Sequence, residues 1–100
     1  MYLIHVRLRA PGDKAPSPGL AETIAPYAEE ADGLEHVSAH LDAAGDVTLG
    51  LFLVAASLAA AEESAARLVD RAVSAHPDLR GYRILTAEAV LLPDPWWGTS

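Results

Sequence analysis

Residues 46–55, DVTLGLFLVA, decide how the rest of this chain can fold. Two sets of side chains alternate along this stretch: Val47, Leu49, Leu51 and Leu53 on one side, and Thr48, Gly50, Phe52 and Val54 on the other. Alternation is typical of a β-strand, and a strand with so few polar residues is typical of the middle of a sheet, where most of both faces is covered. We therefore predict that this segment is an inner strand.

The segment before it, residues 35–41, is predicted to form a hairpin with this strand. Three small or aliphatic residues alternate there with His36, Ser38 and His40, and Gly45 suits the left-handed position of a three-residue loop. The predicted register pairs Leu41 with Val47, Ala39 with Leu49, Val37 with Leu51, His40 with Thr48, and His36 with Phe52.

Two more strands are predicted, at residues 2–9 and 82–92. The first alternates cleanly, with Tyr2, Ile4, Val6 and Leu8 on one side and Leu3, His5, Arg7 and Arg9 on the other. In the last strand Leu85, Ala87, Ala89 and Leu91 are expected to face the helices, with Ile84, Thr86, Glu88 and Val90 opposite, although composition alone allows either face to be the inner one.

Two helices separate these strands. The first is predicted to begin with Ser17 as N-cap and Pro18 after it, and to end at Gly33, with Pro26 kinking it or delaying its start. Its inward residues are expected to be Leu20, Ile24, Tyr27, Ala28 and Ala31. The second is predicted to begin after Ser57 and to run to about residue 75, before His76 and Pro77.

The resulting order is strand, helix, strand, strand, helix, strand, which is the split βαβ order of the ferredoxin-like fold. Right-handed crossovers then predict an antiparallel sheet of order 4-1-3-2 with both helices on one face. We expect one α+β domain over residues 1–92 and a tail of residues 93–100. Over nearly the whole chain this element order resembles that of the dimeric α/β-barrel proteins and, less closely, that of ACT-type regulatory domains.

Charge and composition exclude several classes of function. The 100 residues carry 7 Lys and Arg against 14 Asp and Glu, a formal net charge of −7, which disfavours nucleic-acid binding. There is no cysteine, and the opening MYLIHVRLR is neither a signal peptide nor a membrane span, so a cytoplasmic protein without membrane association is expected. No glycine-rich phosphate loop is present, and no cofactor is predicted.

The predicted sheet has one face that no helix covers, which we call the open face. Its predicted members are His5, Arg7, Arg9, His36, Ser38, His40, Thr48, Phe52, Thr86 and Glu88. His5 and Glu88 are expected on adjacent strands, where a His–Glu pair can move a proton while Arg7 stabilises a developing oxyanion. These three are the candidate catalytic residues. The candidate ligand-binding residues are His36, His40, Thr48, Phe52 and Thr86.

Two further interpretations concern metals and the tail. His36 and His40 are four residues apart in a strand, roughly 13 Å, and so are too far apart to share one ion, which leaves no predicted metal site. Trp96 and Trp97 are too apolar to leave in water, and we expect them to be interface residues that dock on a partner subunit, with docking on this chain's own sheet or helix as the alternative.

The leading functional prediction is a small-molecule-binding or accessory protein with its pocket or dimer interface on the open face. The resemblance implies a homodimer in which a second subunit covers that face. It also implies the main alternative, a cofactor-independent enzyme like the monooxygenases and polyketide cyclases of that group. A third alternative is a structural interaction module that uses the tail as its contact.

Overall fold

The computed structural model of the chain describes residues 1–12, 19–41 and 46–90. The predictions for Ser17 and Pro18, for the hairpin loop with Gly45, and for the tail with Trp96 and Trp97 lie outside the described residues.

Four strands and two helices follow one another in the predicted order. They are β1 (Tyr2–Arg9), α1 (Leu20–Ile24), β2 (Leu34–Leu41), β3 (Val47–Leu53), α2 (Leu58–Ala75) and β4 (Arg83–Ala89), with short 3-10 turns at Ala25–Tyr27, Glu30–Asp32 and Pro77–Leu79. The strands form one antiparallel sheet of order β2-β3-β1-β4, which is the predicted order counted from the other edge. The described part of the chain is therefore an α+β fold with β3 inside the sheet.

The hairpin register is confirmed. β2 pairs with β3 through Leu41–Val47, Ala39–Leu49 and Val37–Leu51, with His40 opposite Thr48 and His36 opposite Phe52. Because side chains alternate along a strand, this register places one apolar set of β3 and one polar set of β2 on opposite faces of the sheet.

The core lies between one face of the sheet and the two helices. The strands supply seven buried side chains, Ile4, Val6, Leu8, Val47, Leu49, Leu51 and Leu53, and the helices supply Leu20, Ile24, Ala61, Ala65, Leu68, Val69 and Ala72. A fully buried Leu, Ile or Val stabilises the fold by roughly 1.5–3 kcal/mol, so these strand residues supply much of the stabilisation. The alanines of α2 let that helix approach the sheet closely.

The first helix is shorter than the sequence predicts. It ends at Ile24, and Pro26 follows within a 3-10 turn, because proline lacks the N–H that would continue the α-helical ladder. The predicted inward stripe therefore fails at its far end. Leu20 and Ile24 are buried and Tyr27 is half-buried, whereas Ala31 is exposed.

The last strand departs from simple alternation. Arg7 pairs with Thr86 but Leu8 pairs with Ile84, so β4 contains one extra residue between these pairs. This β-bulge returns Ile84 to the helix side, where it packs against the core. The prediction that Ile84 lies on the same face as Thr86 and Glu88 is therefore wrong.

A buried carboxylate ties the connection after α1 to α2. Asp32 is buried and accepts hydrogen bonds from Arg71 Nη1 at 3.1 Å and from the backbone N–H of Glu29 at 2.8 Å. The same Arg71 nitrogen donates to the carbonyl oxygen of Tyr27 at 2.8 Å. A charge this deeply buried is stable only when it is paired in this way.

Gly33 ends the turn after α1 and leads into β2. Its φ is 69°, in the left-handed region, and its carbonyl oxygen accepts a hydrogen bond from Val54 N at 2.8 Å. A Cβ built on Gly33 would collide with the carbonyl oxygen of Val54. Backbone conformation and close approach therefore both require glycine at this position.

We expect Gly33→Ala to lower the free energy of unfolding by well over about 2 kcal/mol, because it combines left-handed strain with a backbone collision. The matched control is Gly12→Ala, since Gly12 has a φ of 54° and a Cβ added there would meet none of the described residues within 4 Å. That control is expected to lose only about 1 kcal/mol. Urea denaturation followed by circular dichroism measures both, and equal losses would contradict the close-approach argument.

Candidate functional site

The open face is arranged as rows of side chains that run across the strands. The first row contains His36, Phe52 and Leu3, the second contains Ser38, Gly50, His5 and Glu88, and the third contains His40, Thr48, Arg7 and Thr86. A fourth row, at the end of the open face, contains Asp46, Arg9 and Arg83. The structure therefore places all ten predicted open-face residues on one side of the sheet.

The second row is centred on Gly50. A Cβ at Gly50 would lie 2.9 Å from Ser38 Oγ, 3.6 Å from Leu3 Cδ1 and 3.9 Å from His5 Cδ2, so these three side chains lean over the glycine. Because Gly50 has no side chain, Ser38 and His5 approach each other from two strands that are not neighbours. The predicted catalytic and ligand-binding residues omit Ser38, although the hairpin register already places it opposite Gly50.

His5 and Glu88 occupy directly paired positions on β1 and β4, as expected. His5 is half-buried and Glu88 is exposed. Among the residues that the structure describes, neither a hydrogen bond nor an ion pair joins their side chains. The case for a catalytic pair therefore rests on their opposed positions alone. Cβ atoms of directly opposed residues are about 5 Å apart.

Arg7 is drawn to the edge of the open face by Asp46. Its Nη2 lies 3.2 Å from Asp46 Oδ2, while Arg9 Nε and Nη2 reach the two oxygens of the same carboxylate at 3.1 and 3.3 Å. Arg9 therefore forms the two-pronged arrangement that gives strong, directional pairing. The guanidinium of Arg7 points to this cluster, which we call the Arg–Asp cluster, and the predicted role of Arg7 beside His5 has no direct contact to support it.

The environment of Asp46 lowers the pKa of its carboxyl below the ordinary value for an aspartate. The hydrogen bond from Arg9 is the largest cause, and the positive charges of Arg9 and Arg7 add to it, while burial acts in the opposite direction. The predicted catalytic and ligand-binding residues include neither Asp46 nor Arg9. The sequence does hold a signal for this pair, because extending the β1–β3 register by one position places Arg9 opposite the residue that precedes the central strand.

The first row is the most apolar part of the open face. The rings of His36 and Phe52 have centroids 6.2 Å apart with an interplanar angle of 41°, and Leu3 lies directly opposite Phe52. Ring separations of about 4.5–7 Å are those of favourable aromatic pairs. An apolar strip therefore borders the polar second row.

The three histidines of the open face are spread over separate positions. His36 and His40 are in β2, and β3 stands between them and His5. Within residues 1–12, 19–41 and 46–90, no three His, Asp or Glu side chains come close enough together to hold a metal ion.

Two grooves lie away from the centre of the open face. One, of about 430 Å³, runs between α1 and the first half of β2 and is lined by Ala21, Glu22, Ala25, Ala28, Leu34, Glu35, His36 and Val37. The other, of about 610 Å³, lies beside α2 and is lined by Glu63, Ala66, Arg67, Asp70 and Ile84. The first is mainly apolar and the second mainly charged.

Comparison of the chain with protein-family models, curated proteins and solved structures gives no match. In the part of the chain that the structure describes, no helix combines the length and the apolar character needed to cross a membrane. The function must therefore be argued from the geometry of the open face.

Because the pKa of Asp46 is lowered in the folded state, the contribution of its carboxylate to the unfolding free energy depends on pH. Its carboxylate stabilises the fold above the ordinary aspartate pKa of about 3.9, and that contribution is lost as the pH falls through the lower pKa of the folded state. We therefore expect the gap in unfolding free energy between the wild type and Asp46→Asn to be widest near neutral pH and to narrow below about pH 4.

Urea denaturation from neutral to strongly acidic pH measures this gap. Asp70→Asn, on the exposed side of α2, is the control for removing a carboxylate, and we expect it to change the unfolding free energy at neutral pH by less than about 0.5 kcal/mol. If the difference in unfolding free energy between the wild type and Asp46→Asn stayed constant from neutral to strongly acidic pH, the assigned Arg–Asp interaction would be contradicted.

Proposed function

We propose that this chain is a cytoplasmic small-molecule-binding or accessory protein with a ferredoxin-like fold, and that its ligand lies on the open face. The observation that carries the proposal is the order of the rows: an apolar strip, a polar centre and the Arg–Asp cluster follow one another across a face on the side of the sheet away from the core. A homodimer is part of the proposal, because an alanine-rich core of this size leaves apolar surface exposed.

The assignment to the ferredoxin-like fold rests on element order and strand order together. Each half of the chain is a strand–helix–strand unit, and β1 and β3, the first strands of the two units, are neighbours in the order β2-β3-β1-β4. Helices that contribute to one core on one face leave the other face available for binding. Fold alone says little about activity, and for this reason the ligand class is argued from the side chains.

A planar organic acid fits the open face best. The whole chain has a net charge of −7, yet the described residues of this face include three arginines, Arg7, Arg9 and Arg83, against the two carboxylates of Asp46 and Glu88. An aromatic ring could lie against Phe52 and Leu3 while its carboxylate faced His5 in the adjacent row, and the arginines of the Arg–Asp cluster would add attraction at longer range. Thr48 and Thr86 offer hydroxyls between these two ends.

The test is a titration of the ¹⁵N-labelled protein with 2-naphthoate, followed by amide chemical shifts. We expect saturable shifts at His5, Thr48 and Phe52, and we expect Phe52→Ala to weaken binding by about fivefold or more because it removes the apolar strip. Leu58→Ala is the matched control, since Leu58 is an exposed apolar residue at the start of α2. Shifts that centre on α2, or equal weakening by both variants, would contradict the proposed site.

A second candidate is a cofactor-independent enzyme, favoured by the pairing of His5 with Glu88 beside the leaning Ser38. An imidazole next to a carboxylate can act as a general base, and such groups commonly contribute about 10²–10⁴-fold to a rate. An enolisable aromatic acid is the substrate class that this arrangement suits.

Phenylpyruvate tautomerisation, followed by ultraviolet absorbance, tests this candidate. We expect acceleration over buffer that falls by about 100-fold in His5→Gln and by less than about threefold in His40→Gln, a histidine variant on the same face. Absence of acceleration in the wild type would reject the catalytic candidate for this class, while naphthoate binding would be unaffected by that outcome.

A further inference from the structure

We propose that two copies of this chain pair antiparallel along the outer edge of β2, about a two-fold axis at Ser38, and that Leu41 of each copy enters the groove beside α1 of the other. The proposal does not depend on a ligand at the open face. It rests on three features that have no role so far: a sheet edge that none of the described residues covers, an exposed leucine at that edge, and a mainly apolar groove beside it.

The two edge strands of the sheet, β4 and β2, differ in how far their outer backbone groups are protected from pairing with another strand. At the β4 edge, the backbone N–H of Ala89 donates to Glu62 Oε2 at 3.1 Å, and the bulge near Leu85 distorts the strand. Both devices prevent another strand from pairing there. β2 is eight residues long and contains neither proline nor glycine, and no side chain among the described residues hydrogen-bonds to its backbone beyond residue 34. Its register shift lies at its start, between Leu34 and His36, and residues 36–41 pair regularly with β3.

The hydrogen-bond ladder shows which backbone groups of β2 face outward. Val90 N donates to Leu3 O at 3.0 Å, so the backbone of Leu3 faces β4 and not β3. Its partner on β3, Phe52, must then direct its backbone groups to β2, where it pairs with His36. The backbone N–H and C=O groups of every second residue of β2 therefore bond to β3. The backbone groups of the residues between them, Val37, Ala39 and Leu41, point away from the sheet and are open to another strand.

Leu41 is exposed because α1 is short. The helix lies beside the first half of β2, where Leu34 and Val37 are half-buried, and nothing comparable among the described residues covers the second half. Leu41 points to the helix side of the sheet, opposite the buried Val47, and is 63% exposed. An exposed leucine beside an unpaired strand edge can be covered when a second strand pairs with that edge.

A second copy of the same chain fits this edge. A two-fold axis at Ser38 pairs Val37 with Ala39 of the second copy and brings Leu41 alongside Glu35 of the second copy. That is the end of β2 where the groove of about 430 Å³ opens, with the alanines of α1 and the turn after it, Ala21, Ala25 and Ala28, forming much of its wall. Each exposed leucine thus meets a mainly apolar groove whose charged members are Glu22 and Glu35, twice by symmetry, and the outward backbone groups form hydrogen-bonded pairs.

The arrangement differs from a dimer in which the second copy covers the open face. Edge pairing extends the four-stranded sheet to a continuous sheet across both copies and leaves the rows around Gly50 accessible. Face-to-face association would instead bury those rows and leave Leu41 and the groove in water. The two arrangements therefore predict different effects for the same substitutions.

Sedimentation velocity of the full chain and its variants distinguishes these arrangements. We expect the wild type to be a dimer and Leu41→Glu to raise its dissociation constant by about tenfold or more, with an unchanged circular dichroism spectrum. The matched control is Leu58→Glu, because Leu58 is 40% exposed and begins α2, the helix whose Glu62 binds the backbone at the opposite, β4 edge of the sheet. We expect it to change the constant by no more than about twofold. A monomeric wild type, or a Leu41→Glu variant that dimerises normally, would overturn the proposal.

Crosslinking provides a second, independent measurement. The chain has no cysteine, so Ser38→Cys introduces a single thiol. Opposed residues of a non-hydrogen-bonded antiparallel pair have Cα atoms about 4.5 Å apart, within the range that a disulfide spans. Under mild oxidation we expect covalent dimer to form at least about ten times faster than for Ser74→Cys, an exposed position at the end of α2. Equal rates would rule out an axis at Ser38.

Discussion

The position of β3 between β2 and β1 constrains everything else in the sheet. Because a strand presents alternate side chains to opposite faces, each neighbour of β3 must place its own apolar residues on the side where Leu49 and Leu51 are buried. A shift of one residue in either pairing would expose the core and bury histidines. The same constraint that builds the core therefore also assembles the rows of the open face, with Gly50 buried in the second row beneath Ser38, Leu3 and His5.

The parts of this fold that follow from the alternation of apolar and polar residues could be predicted from the sequence. The β2–β3 register could be predicted because apolar and polar residues alternate in both strands and only one alignment matches them. The bulge in β4 could not, because Ile84 and Leu85 are both aliphatic and either can face the core. Pro26 signals a disturbance of α1, but local pattern does not say whether a proline kinks a helix or ends it.

The candidate site likewise has residues that the sequence could place and residues that it could not. His5 and Glu88 could be placed opposite each other because both lie on strands with readable alternation. Arg9 lies opposite Asp46 in the extended β1–β3 register, but these strands are far apart in sequence and no local pattern fixes how they align. Arg7 reaches the same carboxylate from a position that is not directly opposite it. Ser38 is hard to predict for a different reason: its closeness to His5 is created by the missing side chain of Gly50, and an absent group leaves little signal.

The central position of β1 also bears on how the chain acquires its structure during synthesis. Its two neighbours in the sheet, β3 and β4, are both made later than β2, and β1 does not pair with β2 at all. A nascent chain that has emerged only as far as Leu41 therefore contains two strands with no partner for either. Because β3 is the partner of both, these two strands can join a sheet only after β3 has left the ribosome, and long-range pairing of this kind slows folding.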